Sequence, residues 1–230
     1  MGKNTAYSNL LYSELCDTKV LLNTLQKILL DEFRLQELSR FSYRHENGHC
    51  KLLLSYINRN APAVRLHIWD PPSAESPTDI HSHAWNFRSS VVAGSLVNMI
   101  YDSTPGQCDG DKMFEYAVRL GDRHYTGHHL QCLGRTTLTE TGRYHLPSGS
   151  EYGFAAGVIH QVMPGCDGAI SVFLQMPFER EESRLFRTQQ QNVDSVRVSL
   201  FSIREVGEII EKAIVRITEL GTEESEGWQK

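Results

Sequence analysis

The chain has 230 residues, of which 40% are hydrophobic and 22% are charged, and its formal net charge is −5 at pH 7. This size and composition fit a globular protein with a substantial core and exclude a chain that is disordered over most of its length. Since the acidic balance comes without a run of Lys and Arg, nucleic acid and anionic membranes are excluded as main partners.

No stretch is long and apolar enough to cross a membrane, and the amino terminus lacks the apolar core of a signal peptide. The cysteines are odd in number, widely scattered and without a Cys-x-x-Cys pair, which predicts reduced thiols in a cytoplasmic protein. We expect each cysteine to be a small buried group, with a redox-active thiol as the alternative. They are Cys16, Cys50, Cys108, Cys132 and Cys166.

The first forty residues have a helical pattern. Asp17 can cap a helix in which leucine and isoleucine recur at helical spacing, and a shorter helical segment follows at residues 33–38. We therefore predict a helical amino-terminal extension over residues 1–40, packed against the outside of the structure that follows. The apolar stripe consists of Leu21, Leu22, Leu25, Ile28 and Leu29.

From residue 41 the pattern becomes strand-like. Residues 50–57 and 64–69 are rich in apolar residues and bounded by turn signals, so they are predicted to be neighbouring strands. Pro71, Pro72 and Pro77 then predict a stiff, irregular loop that could form part of a lid.

Two histidines, His81 and His83, follow this loop. Residues two apart on an extended strand point to the same side, so this spacing can present two imidazoles to one metal ion. An apolar strand then runs to Gly94, a second strand covers residues 95–101, and residues 102–106 form a turn cluster. Further strands are predicted at 112–119 and 128–133, where His124, His128 and His129 are expected to be exposed or to act indirectly.

A third histidine, His160, lies beyond a segment with two turn signals. Gly149 suits the first turn, Tyr152 and Phe154 alternate as in a strand, and Gly157 suits the second turn. His160 then opens the next strand. Three histidines on neighbouring strands of a small barrel can meet at one metal ion.

Beyond residue 180 we predict a solvated connection, a carboxy-terminal helix and an acidic tail, together covering residues 181–230. Val196, Val198 and Leu200 alternate as in a strand, and Ser202 with Glu205 forms a capping box for the helix. Gly221 is expected to end that helix, and the tail begins at Thr222. The helix is expected to pack on the sheet, with a homodimer contact as the alternative. Its apolar stripe comprises Val206, Ile209, Ile210, Ala213, Ile214 and Ile217.

The histidines and glycines together resemble the cupin superfamily, whose motifs are Gly-x5-His-x-His-x3,4-Glu-x6-Gly and Gly-x5-Pro-x-Gly-x2-His-x3-Asn. The resemblance implies a mainly β fold with flanking helices: a cupin-type double-stranded β-helix, or jelly-roll barrel, over residues 41–180. It also implies His81, His83 and His160 as metal ligands. The matching positions are His81, His83, Gly94, Gly149, Gly157 and His160, and the departures are Glu75, Phe87, Ala155 and Pro164.

Phe87 stands at the position of the motif's glutamate, which leaves three histidines without a carboxylate. Within the cupins this set is most similar to the thiol dioxygenases, cysteine dioxygenase in particular. Residues 160–162 and 169–178 resemble that family's His-x-Val and Ser-x-His-x-Tyr-x-Pro segments. Ser171 matches the serine, whereas Phe173 and Gln175 replace the histidine and tyrosine. The resemblance implies an Fe(II) dioxygenase for a small substrate, with a thiol as one option, and gives Ser171 and Gln175 as catalytic candidates.

The chemistry of the ligands leaves other functions open. Three neutral imidazoles leave a divalent ion with its full charge and with open positions, as in a catalytic site. Imidazole binds Fe, Zn, Ni and Cu alike, so Zn, Ni or Mn could replace Fe(II). The alternatives are a Zn- or Mn-dependent isomerase or hydrolase, and a cupin that binds a small molecule or metal without catalysis.

Strand parity predicts the substrate pocket. Phe87 and Ser89 share a face with His83, and Ser171, Phe173 and Gln175 are expected on the opposite wall. Arginines near the site could bind an anionic substrate group in two places, and Asn86 is expected to hydrogen-bond a ligand imidazole. The candidate arginines are Arg65 and Arg88, with Arg44 as a third.

Overall fold

The computed structural model describes residues 2–58, 60–72, 79–105, 111–120, 127–190 and 195–222. It confirms a mainly β fold with flanking helices, consistent with a cupin-type jelly roll. The helices are α1 (Gly2–Leu15), α2 (Thr18–Leu29), α3 (Glu32–Ser39) and α4 (Ile203–Thr222). The strands are β1 (Tyr43–Arg44), β2 (His49–Ser55), β3 (Ala63–Trp69), β4 (Ile80–His81), β5 (Trp85–Pro105), β6 (Asp111–Leu120), β7 (Gly127–Pro147), β8 (Glu151–Phe154), β9 (Ile159–Phe178), β10 (Ser183–Arg187) and β11 (Ser195–Arg197).

All strand pairs are antiparallel, and β9 lies at the centre of the sheet. Its second half pairs with β3 on one side and with β5 on the other. Its first half pairs with the far half of β5 and meets β4 at a single register position. The two segments that carry the predicted ligands are therefore hydrogen-bonded neighbours.

The helices cover one face of this sheet. Leu52, Leu66 and Val172, on β2, β3 and β9, are fully buried in one cluster with Leu25 of α2 and Ile210 of α4. Because successive strand residues point to opposite faces, their sequence neighbours point into the barrel. The amino-terminal and carboxy-terminal helices thus pack on the outer face of the sheet. On α4 the buried positions are Val206, Ile210, Ala213 and Ile217.

Both predicted helix caps are present. The Asp17 carboxylate accepts hydrogen bonds from the backbone N–H groups of Lys19 and Val20. Ser202 Oγ accepts from the Glu205 N–H over 3.3 Å, and the Glu205 carboxylate accepts from the Ser202 N–H over 2.7 Å. The helix then extends to Thr222, so its predicted end at residue 221 was one residue short.

Strand β5 is longer than predicted. It does not end at Gly94 but continues to Pro105, with shifts of register on either side of Gly94. Gly94 has a φ of 68°, and a Cβ added there would collide with the carbonyl oxygen of Gly168. A glycine is needed because the strand must bend where two backbones approach closely. The turn predicted at residues 102–106 was therefore wrong for residues 102–105, since pairing with β7 continues through them, and Gly106 lies outside the described residues.

The polar segment after residue 180 was predicted to be a solvated connection. The structure shows that it contains a strand, β10. Leu185 and Phe186 are buried, and β10 pairs with β4 on one side and β6 on the other. Two buried apolar side chains are enough to form this strand because β4 and β6 provide hydrogen-bonding partners on both sides of it. The predicted strand around Val196 is present as β11.

Some sequence-based predictions fall outside the described residues. They concern Glu75 and Pro77, Cys108, His124, the side chain of His128 and the tail beyond residue 222. His129 is exposed, as expected. The four described cysteines are free, but only Cys50 is buried, whereas Cys132 and Cys166 are exposed, contrary to the prediction. No described helix has the length and apolar character required to span a bilayer.

Candidate metal centre

The structure brings the three predicted histidines together. His81 on β4 lies directly opposite His160 on β9, and His83 follows two residues after His81. The ring centroids are 4.7 Å apart for His81 and His160, 4.9 Å for His81 and His83, and 5.1 Å for His83 and His160. One nitrogen from each ring lies within 4.8 Å of the other two. Imidazoles almost eighty residues apart in the chain thus form one cluster.

Two of the imidazoles are held by the backbone two residues before them. His81 Nδ1 lies 2.9 Å from the carbonyl oxygen of Asp79, and His160 Nδ1 lies 3.2 Å from that of Val158. A carbonyl oxygen only accepts, so each Nδ1 carries the proton and each Nε2 keeps its lone pair. For His81 the carbonyl, at 2.9 Å, is closer to Nδ1 than the Asn47 amide nitrogen, at 3.4 Å. This is the tautomer in which Nε2 can bind a metal ion.

The segment before His81 is itself fixed by side chains. The Asn47 Oδ1 atom accepts a hydrogen bond from the Asp79 N–H over 3.3 Å. The Arg187 guanidinium bridges the Asp79 and Glu46 carboxylates at 2.8 and 2.9 Å. These contacts orient the carbonyl that in turn orients the His81 ring.

Asn86 was predicted to bind a ligand imidazole, and that prediction was wrong. Its Oδ1 atom accepts from the Ala156 N–H over 2.7 Å, and its amide nitrogen donates to Glu179. The next residue, Gly157, donates its N–H to the His83 carbonyl over 2.9 Å. Asn86 therefore secures the turn that precedes His160, while Asn47, which the sequence analysis missed, supports His81.

Burial keeps the three imidazoles neutral. It lowers the pKa of His160 to about 3, with a further contribution from His81. It also lowers the pKa of His83 well below the usual value, again with the other two imidazoles adding to the effect. The pKa of His81 falls for the same reason, although its bond to the Asp79 carbonyl opposes the shift. A metal ion binding near pH 7 would therefore displace no proton from these rings.

An aromatic wall closes one side of the cluster. Phe87 stacks on Phe173 with a centroid distance of 4.7 Å and presents its edge to His83 at 5.1 Å. Phe154 lies 5.1 Å from His160. Among the described residues no carboxylate joins the three-histidine group, so the phenylalanine at the motif's glutamate position makes this side apolar.

Two cavities that share lining residues adjoin the histidines. The outer cavity has a volume of about 380 Å³, and the inner one has a volume of about 40 Å³. His160, Arg65 and Phe173 line the inner cavity. The residues common to both cavities are His45, Asn47, Lys51, His81 and His83. His81 and His83 therefore border both cavities, whereas His160 borders only the inner one.

Several other predicted site residues do not contact the histidine cluster or line the inner cavity. Arg88 is exposed and bound to Glu151 over 2.8 Å, on the strand face opposite Phe87, so the structure does not bring it to the cluster. Arg44 is exposed at the outer cavity and faces Asp70. Three polar residues are buried inside the barrel without lining either cavity, and their roles stay predictions. These residues are Ser89, Ser171 and Gln175.

Sequence reasoning missed three polar residues inside the barrel: His49, Lys51 and His67. All are buried, and all line the inner cavity. Both nitrogens of His49 lack a hydrogen-bond partner among the described residues, and its ring lies 4.7 Å from that of His67. The available signal was parity, because apolar residues alternate with these polar ones along β2 and β3.

No family model matches the chain, and no curated protein matches it. Among solved structures it is similar to the hydroxypropylphosphonic acid epoxidase from S. wedmorenis, at 15% identity and a TM-score of 0.31. That match covers 56% of this chain and 50% of the epoxidase, so the chain spans about half of its length.

Two further solved structures are similar to the chain. A hydroquinone 1,2-dioxygenase, in complex with Cd²⁺ and 4-hydroxybenzonitrile, is 13% identical with a TM-score of 0.31, covering 63% of this chain and 72% of that one. A Shewanella oneidensis protein is 10% identical with a TM-score of 0.30, covering 80% and 92%. At these sequence identities and TM-scores, the function of this chain has to be inferred from the side chains of the histidine cluster itself.

Proposed function

We propose that this protein is a mononuclear metal-dependent enzyme of the cupin type, and specifically a non-haem Fe(II) dioxygenase acting on a small substrate. One observation carries the proposal. Three neutral imidazoles converge, two of them with Nε2 held free, beside a cavity of about 380 Å³.

The donor set fits a divalent ion. Imidazole nitrogens bind at about 2.1 Å, so the ligands of one ion lie roughly 3–4 Å apart. The three nitrogens already lie within 4.8 Å of each other, so small rotations of the rings would complete the site. Bound Fe(II) would supply redox capacity and open positions for dioxygen and a substrate donor atom.

The side chains around the cluster have separable roles in this proposal. His81, His83 and His160 hold the ion, and the outer cavity admits the substrate to it. Phe87 and Phe173 keep water from one side, which strengthens electrostatic interactions within the site. Ser171 and Gln175 are buried and lie two residues before and after Phe173 on β9, so they would act by positioning its ring.

The thiol-dioxygenase assignment is the most specific part of the proposal. It is supported by three histidines without a carboxylate and by the matched serine, Ser171. Phe173 and Gln175, which replace that family's histidine and tyrosine, point to a different substrate from cysteine. Such an enzyme needs neither nucleic acid nor membrane as a partner, and its free cysteines suit a cytoplasmic location.

Anaerobically Fe(II)-loaded protein tests the proposal with a panel of small thiols, by oxygen uptake and sulfinate formation. We expect both signals from the wild type and neither from His81→Ala or His160→Ala. His145→Ala provides the matched control, since His145 is exposed on β7. Turnover by Zn-loaded protein without oxygen uptake would favour a hydrolase or isomerase instead. Recovery of every tested compound unchanged would favour a binding protein.

A further inference from the structure

A buried primary amine borders the outer cavity, and the proposed metal chemistry gives it no role. Lys51 is 8% exposed, and it lines both the outer cavity of about 380 Å³ and the inner one. Its neighbour on β2, Leu52, is buried against the helices on the outer face of the sheet. Because successive strand residues point to opposite faces, Lys51 points into the barrel.

Among the described residues no carboxylate pairs with Lys51. The two carboxylates that line the outer cavity, Glu46 and Asp79, are bound by Arg187 at 2.9 and 2.8 Å. The buried polar side chains of the described chain include no Asp or Glu. A buried ammonium ion without such a partner is strongly disfavoured, so the neutral amine is the favoured form at this position.

The charges around Lys51 act in the same direction as burial. Burial lowers the pKa of Lys51 well below its usual value, and the Arg65 guanidinium adds to the effect. Arg65 pairs with Leu53, so it is a diagonal neighbour of Lys51. A divalent ion held by the histidines would also disfavour the ammonium form, because it too is positively charged. The imidazoles that interact with Lys51 are themselves kept neutral by burial, and they are His49, His67, His81 and His83.

The Tyr43 hydroxyl lies next to this amine. Lys51 Nζ donates to the Tyr43 hydroxyl oxygen over 3.0 Å. Because this contact uses an N–H, the lone pair of the neutral amine stays available to an electrophile. Burial raises the pKa of Tyr43, so the phenol keeps its proton near neutral pH. Tyr43 also lines the outer cavity, so an amine that can attack and a hydroxyl that can donate a proton border the same space.

We propose that Lys51 forms an imine with an aldehyde or ketone bound in the outer cavity, and that Tyr43 donates the proton to the leaving oxygen. The Lys51 nitrogen forms a bond to the carbonyl carbon, and one amine proton moves to the oxygen. The carbon–oxygen bond then breaks. Tyr43 protonates the leaving hydroxyl, which departs as water, and recovers the second amine proton from the nitrogen.

General chemistry favours this assignment. A lysine that is desolvated, or that lies beside another cation, is activated as a nucleophile toward carbonyl compounds. The outer cavity, at about 380 Å³, has the size of a small-molecule site. The ligand class is therefore small aldehydes and ketones. This activity goes beyond the proposed function and needs no metal ion.

Reductive trapping tests the proposal on the full chain as purified. The protein is incubated with butanal and quenched with borohydride, which adds hydride to the imine carbon, and peptide mass mapping locates the label. An exposed lysine has a pKa of about 10.4, so roughly one in 2,500 is neutral at pH 7. We therefore expect Lys51 to carry at least about tenfold more label than the exposed Lys27. The α-amino group of the chain also reacts, and the mapping separates it.

Competitive acetylation with acetic anhydride measures the neutral fraction of each amine separately. Between about pH 7 and pH 9 the acetylation rate of Lys27 should rise roughly tenfold per pH unit, whereas that of Lys51 should stay nearly constant. In guanidinium chloride, which unfolds the chain, the two lysines should react alike. Equal butanal label on Lys51 and Lys27 in folded protein would overturn the proposal, as would a rate at Lys51 that rises with pH as steeply as that at Lys27.

Tyr43→Phe tests the proton donor. General acid catalysis contributes roughly 100-fold or more, so imine formation at Lys51 should be at least about tenfold slower in this variant. The final labelled fraction should match that of the wild type, because an acid catalyst does not move the equilibrium. Tyr7→Phe, changed at an exposed position, is the control and should react as the wild type does. An unchanged rate in Tyr43→Phe would overturn the role of its hydroxyl.

The imine proposal and the proposed function fail in distinguishable ways. Labelling of Lys51 without oxygen uptake by Fe(II)-loaded protein would sink the dioxygenase and leave the imine site. Oxygen uptake without preferential labelling of Lys51 would sink the imine site and leave the dioxygenase.

Discussion

The His81 imidazole donates from Nδ1 to the backbone carbonyl oxygen of Asp79 over 2.9 Å, which leaves the lone pair of its other nitrogen, Nε2, for a metal ion. The Asp79 backbone is held in place because the Asn47 side-chain oxygen accepts a hydrogen bond from the Asp79 N–H. The ligand geometry therefore depends on a residue that lies thirty-four positions earlier in the chain.

Asn47→Ala should lower metal affinity by about 10–100-fold, the usual cost of losing a partner that orients a ligand. The free energy of unfolding of the metal-free protein should change much less. Competition with a metal chelator measures the affinity. Asn9→Ala is the control, since the Asn9 amide bonds to Thr5 within α1. An unchanged affinity in Asn47→Ala would show that the Asp79 carbonyl does not need this support.

Lys51→Met should raise the free energy of unfolding by roughly 1 kcal/mol or more, because burial lowers the pKa of the Lys51 ammonium and so disfavours its charged form in the folded protein. Urea unfolding measures the free energy of unfolding directly. Lys27→Met, at an exposed position, should leave it unchanged. A loss of stability of comparable size in Lys51→Met would mean that the fold itself depends on this ammonium group.

His49 should make the protein sensitive to acid. Burial lowers its pKa well below the usual 6.5, with His67 adding to the effect. The unfolded chain then binds the proton more readily than the folded one. Stability is therefore complete above about pH 6.5 and declines as the pH falls below it, by at most about 1.4 kcal/mol per pH unit for each such group.

His49→Phe keeps a ring between its neighbours and removes the titrating group. Between pH 6.5 and the acid limit of folding, its free energy of unfolding should fall less steeply with decreasing pH than that of the wild type. Urea unfolding across this range measures the slope. His145→Phe, changed at an exposed position, is the control, and an unaltered slope in His49→Phe would contradict the prediction.

Ser202→Ala should destabilise the protein by about 1 kcal/mol through loss of the α4 cap. Thermal unfolding measures the effect. Ser39→Ala removes a hydroxyl that bonds to Gln36 near the end of α3 and should cost less. Equal losses in both variants would show that the capping box contributes nothing specific.

The features visible in the sequence were those set by local spacing. The spacing of His81 and His83, the turn glycines before His160 and the two helix caps follow from residues near one another in the chain. The convergence of the histidines required one further step, the recognition of a barrel, and the register of β4 and β9 confirms that convergence.

The features that could not be read from the sequence depend on partners far away. The alternation along β2 places Lys51 on one face, but which face points into the barrel depends on helices that are distant in the chain and cover the other face. Asn86 binds the Ala156 N–H and not an imidazole, because the turn before His160 offers an unpaired N–H at Ala156. Leu185 and Phe186 form a strand because β4 and β6 leave room between them.

The central claim is that three imidazoles hold one divalent ion, and anaerobic calorimetric titration of metal-free protein with Fe(II) tests it most directly. We expect one ion per chain for the wild type and for His145→Ala. His81→Ala, His83→Ala and His160→Ala should each lose more affinity than the roughly 10–100-fold expected for an orienting residue. Tight binding of one ion by His160→Ala would contradict the account.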